Sequence, residues 1–198
     1  MKKEIGYIHE YRICQIDKDD ISEVVKFVVK TNYKKHHFMA DSEFINSEIA
    51  QICDFEEKIF NRSVFYAIID KNQQIVGALR VSKENKYELK LPDTIDLSSV
   101  NKVYHIGRFA IDQTNNNLNI ELFKRLINIA FSLVCQDRNN ILIADCDTKL
   151  CRILRKMGIG LIPVGAPFFC VGSETVSVYL PYDNVIKYYL EYNLLQQL

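Results

Sequence analysis

The residues with the most chemical capacity lie close together in residues 104–112, Tyr-His-Ile-Gly-Arg-Phe-Ala-Ile-Asp. His105 supplies an imidazole, and an ordinary pKa of about 6.5 makes it fit to take a proton at neutral pH. The alternative is a hydrogen-bonded structural histidine at a sheet edge. Arg108 supplies a planar guanidinium, suited either to a bidentate clamp on a carboxylate or to a buried ion pair that orients neighbouring helices. Arg80 carries the same two readings. Downstream, residues 113–119 lead into a helix. Free N–H groups and the dipole at a helix N-terminus attract phosphate, and Asn tolerates left-handed backbone. Gln113, Asn116, Asn117 and Asn119 therefore suit a phosphate nest, or form a flexible polar loop. Lys149, Arg152, Arg155 and Lys156 recur along one further helix, with Lys124 and Arg125 on the helix before it. They make either a docking patch for an acidic partner or a solvated face.

These groups need elements to hold them. Residues 103–112 read as a strand, so Val103, His105, Gly107, Phe109 and Ile111 share one face and Tyr104, Ile106, Arg108 and Ala110 the other. His105 and Arg108 then point opposite ways unless a bulge intervenes, and Gly107 suits a bulge or a close backbone approach. Upstream, residues 11–16 read as a first strand. Asp19 or Asp20 caps a helix to about residue 35, with Ile21, Val24, Val25, Val28 and Val29 on its apolar face. A second helix starts at Asp41 or Ser42, with Phe44, Ile45, Ile49, Ile52 and Phe55 at helical spacing. Residues 64–70 and 75–81 form a hairpin around a polar turn. Residues 83–101 are polar and irregular. A long helix over 118–136 precedes a short apolar strand, 141–144. A helix over 147–157 ends at Gly158. Strands at 161–164 and 175–180 and a C-terminal helix over 183–197 complete the order β-α-α-β-β-β-α-β-α-β-β-α. This alternation predicts an α/β or α+β sheet with one parallel step, from strand 103–112 through the long helix to strand 141–144.

Composition sets the frame. The chain has 198 residues, 48 % apolar and 25 % charged, with 25 basic and 25 acidic side chains. That is enough for a sizeable core in one domain, 1–198. Zero net charge gives no global attraction to nucleic acid or anionic lipid. The six cysteines form no Cys-x-x-Cys, and three lie in strongly apolar runs, as expected for reduced buried thiols of a cytoplasmic protein rather than a disulfide or zinc framework. No apolar h-region follows Lys2 and Lys3, so no signal peptide is expected. No apolar run approaches the ~20 residues that cross a bilayer.

The element order resembles the GNAT fold over nearly the whole chain. The resemblance implies a mixed central sheet whose fourth and fifth strands splay apart, flanked by helices. Residues 104–112 look like the fourth-strand motif of acyl-homoserine-lactone synthases, long-chain N-acyl amino acid synthases and ornithine-lipid N-acyltransferases. Gly77-Ala78-Leu79-Arg80-Val81 with Leu91-Pro92, and Met157-Gly158-Ile159 through Pro163-Val164-Gly165-Ala166-Pro167 with Gly172, are similar to further stretches of that group. Three positions depart from the pattern. His105 stands where the group has Glu, the stretch 113–119 lacks the usual pyrophosphate-loop glycines, and Leu154 takes the place of a Tyr that often protonates the leaving thiolate.

The resemblance implies an N-acyltransferase. It would carry an acyl group, medium or long, from an acyl-carrier protein's phosphopantetheine or from acyl-CoA to the amine of an amino acid or other small amine, with no metal. Main-chain N–H groups of Phe109, Ala110 and Ile111 would meet the thioester carbonyl and pantetheine amides. Aminolysis needs the amine to lose a proton, which His105 would accept directly or through water. Arg108 would act with it or serve as a structural ion pair. Arg80, Phe168 and Phe169 would border the acyl and acceptor pocket, and Lys149, Arg152, Arg155 and Lys156 would dock the carrier. The C-terminal helix would pack on the core, pair with a second copy or touch a membrane peripherally. Two alternatives stay open: a short-chain acetyl-CoA-dependent GNAT acetyltransferase, and a catalytically inactive GNAT domain that binds or regulates.

Overall fold

The computed structural model describes residues 2–37, 39–87, 95–112 and 116–195. Leu91, Pro92 and Gln113 lie outside them. The chain divides into two compact units. The first comprises Met1–Ser82, Gly107–Leu126 and Val171–Ser173, and the second Lys83–Ile106, Ile127–Cys170 and Glu174–Leu198.

The first unit opens with an antiparallel pair, β1 (Lys3–Ile8) and β2 (Tyr11–Ile16). The strand expected first is therefore the second. Residues of β1 before Ile8 are largely exposed, so the strand lacks the buried alternation that marks its neighbours. Helix α1 (Ile21–His36) follows a single 3-10 turn, Lys18–Asp20. Asp20 occupies the cap position but makes no side-chain cap bond, in contrast to the expectation for it. Ile21, Val24, Val25, Val28 and Val29 are all buried, as their spacing predicts, and pack with Ile16, Phe65, Ala67 and Ala78 in one apolar cluster.

Helix α2 (Ser42–Lys58) starts at Asp41, whose carboxylate accepts from the Phe44 N–H at 2.7 Å. Ile49 is buried on it, whereas Phe44 and Phe55, expected on the apolar face, are exposed. The Tyr33 hydroxyl donates to Glu48 and ties the two helices together. Strands β3 (Ser63–Ile69) and β4 (Ile75–Glu84) form the expected hairpin. The strand order continues from β4 to β5 (Val103–Ile111), and the Asp112 N–H donates to the Val76 carbonyl at 2.9 Å.

Residues Val103–Ile106 of β5 belong to the second unit. There they pair in parallel with β6 (Ile141–Asp147), across the crossover helix α3 (Asn116–Val134). The paired residues run from Val103 with Ile141 to Ile106 with Ala144 and stop, although β5 continues to Ile111 and β6 to Asp147. Asp147 ends β6 and caps α4 (Thr148–Lys156), accepting from the Leu150 N–H at 2.7 Å. Gly158 follows α4 in left-handed backbone at φ 79°, the conformation a helix-ending glycine supplies. β7 (Ile162–Pro163) pairs with β9 (Ser173–Pro181), which lies antiparallel to β6. A short strand unexpected from the sequence, β8 (Phe168–Cys170), also pairs with β9. Helix α5 (Tyr182–Leu195) packs its own side of this unit: Val185 is fully buried, and Tyr188 meets Phe131 of α3 edge to face at 5.9 Å.

All six cysteines are free thiols. Burial pushes the Cys135 thiol up to about 11, so it stays protonated and unreactive at neutral pH.

The Asp41 cap satisfies a helix N–H that no intrahelical carbonyl reaches. Asp41→Ala should lower the unfolding free energy by about 1 kcal/mol. A urea titration with an unchanged midpoint would show that α2 does not need it.

Candidate functional site

The first unit holds a buried charge cluster. Glu56, on the last turn of α2, is 0 % exposed and Arg80, on β4, 4 %. Arg108 Nε donates to Glu56 Oε1 at 2.6 Å, and Arg80 Nη1 lies 3.6 Å from Glu56 Oε2. A carboxylate taken out of water stays charged when cations replace its hydration, and here two guanidinium groups do so. Both arginines thus stand on one carboxylate. Of the two readings open for Arg108, the structure displays the ion pair that fastens an N-terminal helix to the sheet.

Backbone geometry around the pair is unusual. Arg108 has φ 53°, a left-handed residue inside a strand. Such a backbone is uncommon for a residue with a Cβ and persists where its surroundings fix it. Beside it, a Cβ on Gly107 would press into the Arg80 guanidinium, with Cζ and Nε both at 3.1 Å. A side chain here would have to displace the Arg80 guanidinium from its place beside Glu56. Phe109, the next residue, meets Phe123 of α3 edge to face at 5.3 Å, and Ala110 joins the apolar cluster around α1.

The second unit holds a polar row. His105 lies opposite Ile143 of β6, and Asp145, two residues on, shares its face. Asp145 in turn lies opposite Ser177 of β9. Asp145 accepts from the Ser177 hydroxyl at 2.6 Å, and His105 Nε2 stands 3.4 Å from the other carboxylate oxygen. The His105 side chain is 19 % exposed. The apolar end of the same face, Val103 and Ile141, packs under Val100.

Lys149, Arg152, Arg155 and Lys156 are exposed along α4, which contains no acidic residue. Leu154, in the expected place of the leaving-group Tyr, is buried on the same helix. Cys146 and Cys151 are buried where β6 meets α4. The hydrogen bond with Cys151 and burial together hold the Cys146 thiol well above its ordinary range. Asn119 sits half-buried in the first turns of α3. The backbone of Asn116 and Asn117 is helical at its start, and their side chains lie outside the described residues. Phe168 and Phe169 are 42 % and 65 % exposed on β8, so they form an open aromatic surface rather than the wall of an enclosed pocket. Among the described residues no group of three His, Cys, Asp or Glu side chains is placed to hold a metal ion.

Sequence reasoning named His105, Arg80 and Arg108 but missed Glu56 and Asp145, the carboxylates that hold them. Asp54-Phe55-Glu56-Glu57-Lys58 reads as a solvated helix end. The one signal was helical spacing, since Glu56 falls seven residues after the buried Ile49.

No protein-family model matches the chain, and no curated protein sequence does. Solved structures do. FeeM, an N-acyl amino acid synthase from uncultured soil microbes, is 12 % identical, with 93 % of this chain and 96 % of that one covered at a TM-score of 0.58. A GNAT-family acetyltransferase from Staphylococcus aureus Mu50 is 13 % identical over 87 % of this chain and 99 % of that one, at 0.55. BjaI, a CoA-dependent acyl-homoserine lactone synthase solved with SAM and isopentyl-CoA, is 12 % identical over 89 % and 87 %, at 0.52. At such identities the likeness is one of fold, and the chain has the GNAT fold.

Two substitutions test the charge cluster. Glu56→Ala leaves two guanidinium groups without their carboxylate and should cost about 3–5 kcal/mol of stability. Gly107→Ala should cost about 1–3 kcal/mol by overpacking against Arg80. Chemical denaturation reads both. A Gly107→Ala protein as stable as the parent would mean that Arg80 moves aside freely.

Proposed function

We propose that the chain is an N-acyltransferase that moves an acyl group, medium or long, from the thioester of an acyl-carrier protein or CoA to the amine of an amino acid or similar small amine. The observation that carries the reading is the GNAT fold shared with FeeM and BjaI, with β5 paired in parallel to β6 over Val103–Ile106. Supporting it, the strand motif places an imidazole inside that paired stretch. The thioester arm would lie along the main chain of Phe109, Ala110 and Ile111. His105 takes a proton from the incoming ammonium, directly or through water, and the freed amine attacks the thioester carbonyl. The carbon–nitrogen bond forms, the carbon–sulfur bond breaks, and the thiolate leaves without an internal acid, because position 154 is leucine. A thiol pKa of about 8.5 makes that departure undemanding.

The donor's phosphate would sit at the start of α3, beside Asn119. Acyl-carrier proteins are acidic, and the α4 face of Lys149, Arg152, Arg155 and Lys156 supplies complementary charge. Arg80 and Arg108 hold the strand in shape from behind, and Phe168 and Phe169 offer apolar surface to an acyl chain. No helix among the described residues is long and apolar enough to cross a membrane, and we place the reaction in the cytoplasm. A second reading, a short-chain acetyltransferase, is favoured by the S. aureus neighbour. The lack of glycines in residues 113–119 opposes it.

The test offers acyl-carrier-protein and CoA thioesters of graded chain length with a panel of amino acids, and follows thiol release and N-acyl product by mass spectrometry. Product should form with long donors, and His105→Ala should lower turnover about 10²-fold or more. Thiol release with no donor at all would leave a binding domain, and turnover unchanged in His105→Ala would remove His105 as the base. Reversing charge at Lys149 and Arg152 should raise KM for the carrier-protein donor about tenfold and leave the CoA donor unaffected, with the difference shrinking as salt rises. Equal effects on both donors would relocate the docking face.

A further inference from the structure

We infer that Asp145 and Ser177 are positioning residues for His105, a two-step brace on neighbouring strands that fixes which imidazole nitrogen receives the substrate's proton. The inference rests on the acyltransferase reading for its role in catalysis, but its geometry stands without it. Three adjacent strands, β5, β6 and β9, present His105, Asp145 and Ser177 from one face of the sheet. Their order is diagonal. Asp145 lies one side-chain step beyond the residue opposite His105 and directly across from Ser177. In this arrangement a carboxylate reaches back to an imidazole while a hydroxyl holds its other oxygen.

Each link has a physical job. Asp145 is 44 % exposed, so burial alone does not fix its rotamer. The short bond from Ser177, 2.6 Å, selects one rotamer. In that rotamer Oδ2 faces His105 Nε2 at 3.4 Å. A carboxylate accepts and cannot donate, so the imidazole keeps its proton on Nε2 and its lone pair on Nδ1. Nδ1 is then the atom that takes the ammonium proton. The imidazolium so formed faces a negative charge and is stabilised by it, and the proton passes on to solvent, which restores the neutral ring.

This assigns a function to a departure noted in the sequence. The strand motif resembles one with a glutamate at the position of His105, and the chain has no carboxylate there. Asp145 returns a carboxylate to the same face from the next strand, with the imidazole as its extension. Two other titratable groups share the face, Asp147 on β6 and Tyr179 on β9. Burial raises the Tyr179 phenol, so it stays neutral through the range in which a histidine titrates. Asp147 is engaged as the cap of α4.

The experiment uses the full chain and variants Asp145→Asn, Ser177→Ala and Ser177→Thr, each checked for native circular dichroism and thermal midpoint. The first arm reads the tautomer of the neutral His105 ring from its nitrogen NMR shifts, assigned by their loss in His105→Ala. The parent should carry the ring proton on Nε2, and Asp145→Asn should weaken that preference. The second arm measures kcat and KM. Asp145→Asn should lower kcat about a hundredfold with little change in KM for the thioester. Ser177→Ala should lower kcat several-fold, and Ser177→Thr, which keeps the hydroxyl, should restore it. An unchanged tautomer in a folded Asp145→Asn protein overturns the inference. So does a Ser177→Thr protein as impaired as Ser177→Ala. A changed tautomer in a chain that transfers no acyl group upholds the brace and strikes instead at the acyltransferase reading.

Discussion

One buried carboxylate organises the first unit. Glu56 has lost all its water and is matched by two guanidinium groups from β4 and β5. Such a cluster is a poor source of net stability, since desolvation of three charges offsets most of their attraction. Its strength is specificity. Moving α2 away from the sheet would leave Glu56 without its cations. Consequences run outward from it. Arg80 lies against Gly107, where a side chain would displace its guanidinium, and Arg108 reaches the carboxylate from a left-handed backbone. The local shape of the fourth strand of the GNAT pattern is thus set by a helix more than fifty residues earlier in the chain.

The second unit solves a different problem on one sheet face. Its apolar end, Val103 and Ile141 under Val100, is ordinary core, and its polar end carries His105, Asp145 and Ser177. A parallel ladder of only four residue pairs joins β5 to β6. That is long enough to fix the register that brings His105 near Asp145. Register is the controlling variable, because a slip of one residue would turn the imidazole and the carboxylate to opposite faces.

Much of this was legible from residue pattern alone. The valines of α1 fall in two adjacent pairs four residues apart and are buried as spaced. The hairpin of β3 and β4, the parallel step and the glycine after α4 follow from period and turn chemistry. What escaped notice has a common cause, namely that a side chain's partner lies far along the chain. Glu56 looks like one more charge in a polar helix end until two arginines from other strands are placed beside it. Asp145 closes a short apolar run and gains meaning only beside His105, forty residues earlier. Strand β1 went unseen because an edge strand open to water need not alternate, and Phe44 and Phe55 show that helical spacing alone does not ensure burial. Phe168 and Phe169 are the same lesson reversed: aromatic pairs look like core, and a three-residue strand has too little body to bury them.

The junction at Asp147 has a mechanical consequence. That residue is at once the last of β6 and the cap of α4, so strand becomes helix with no intervening loop. A loop would act as a compliant spring. Here there is no such slack, and only Cys146 and the capping Asp147 separate Asp145 from the first residue of the cationic helix. Whatever surface settles against α4 therefore bears on a helix whose first residue stands three positions from Asp145 along the chain.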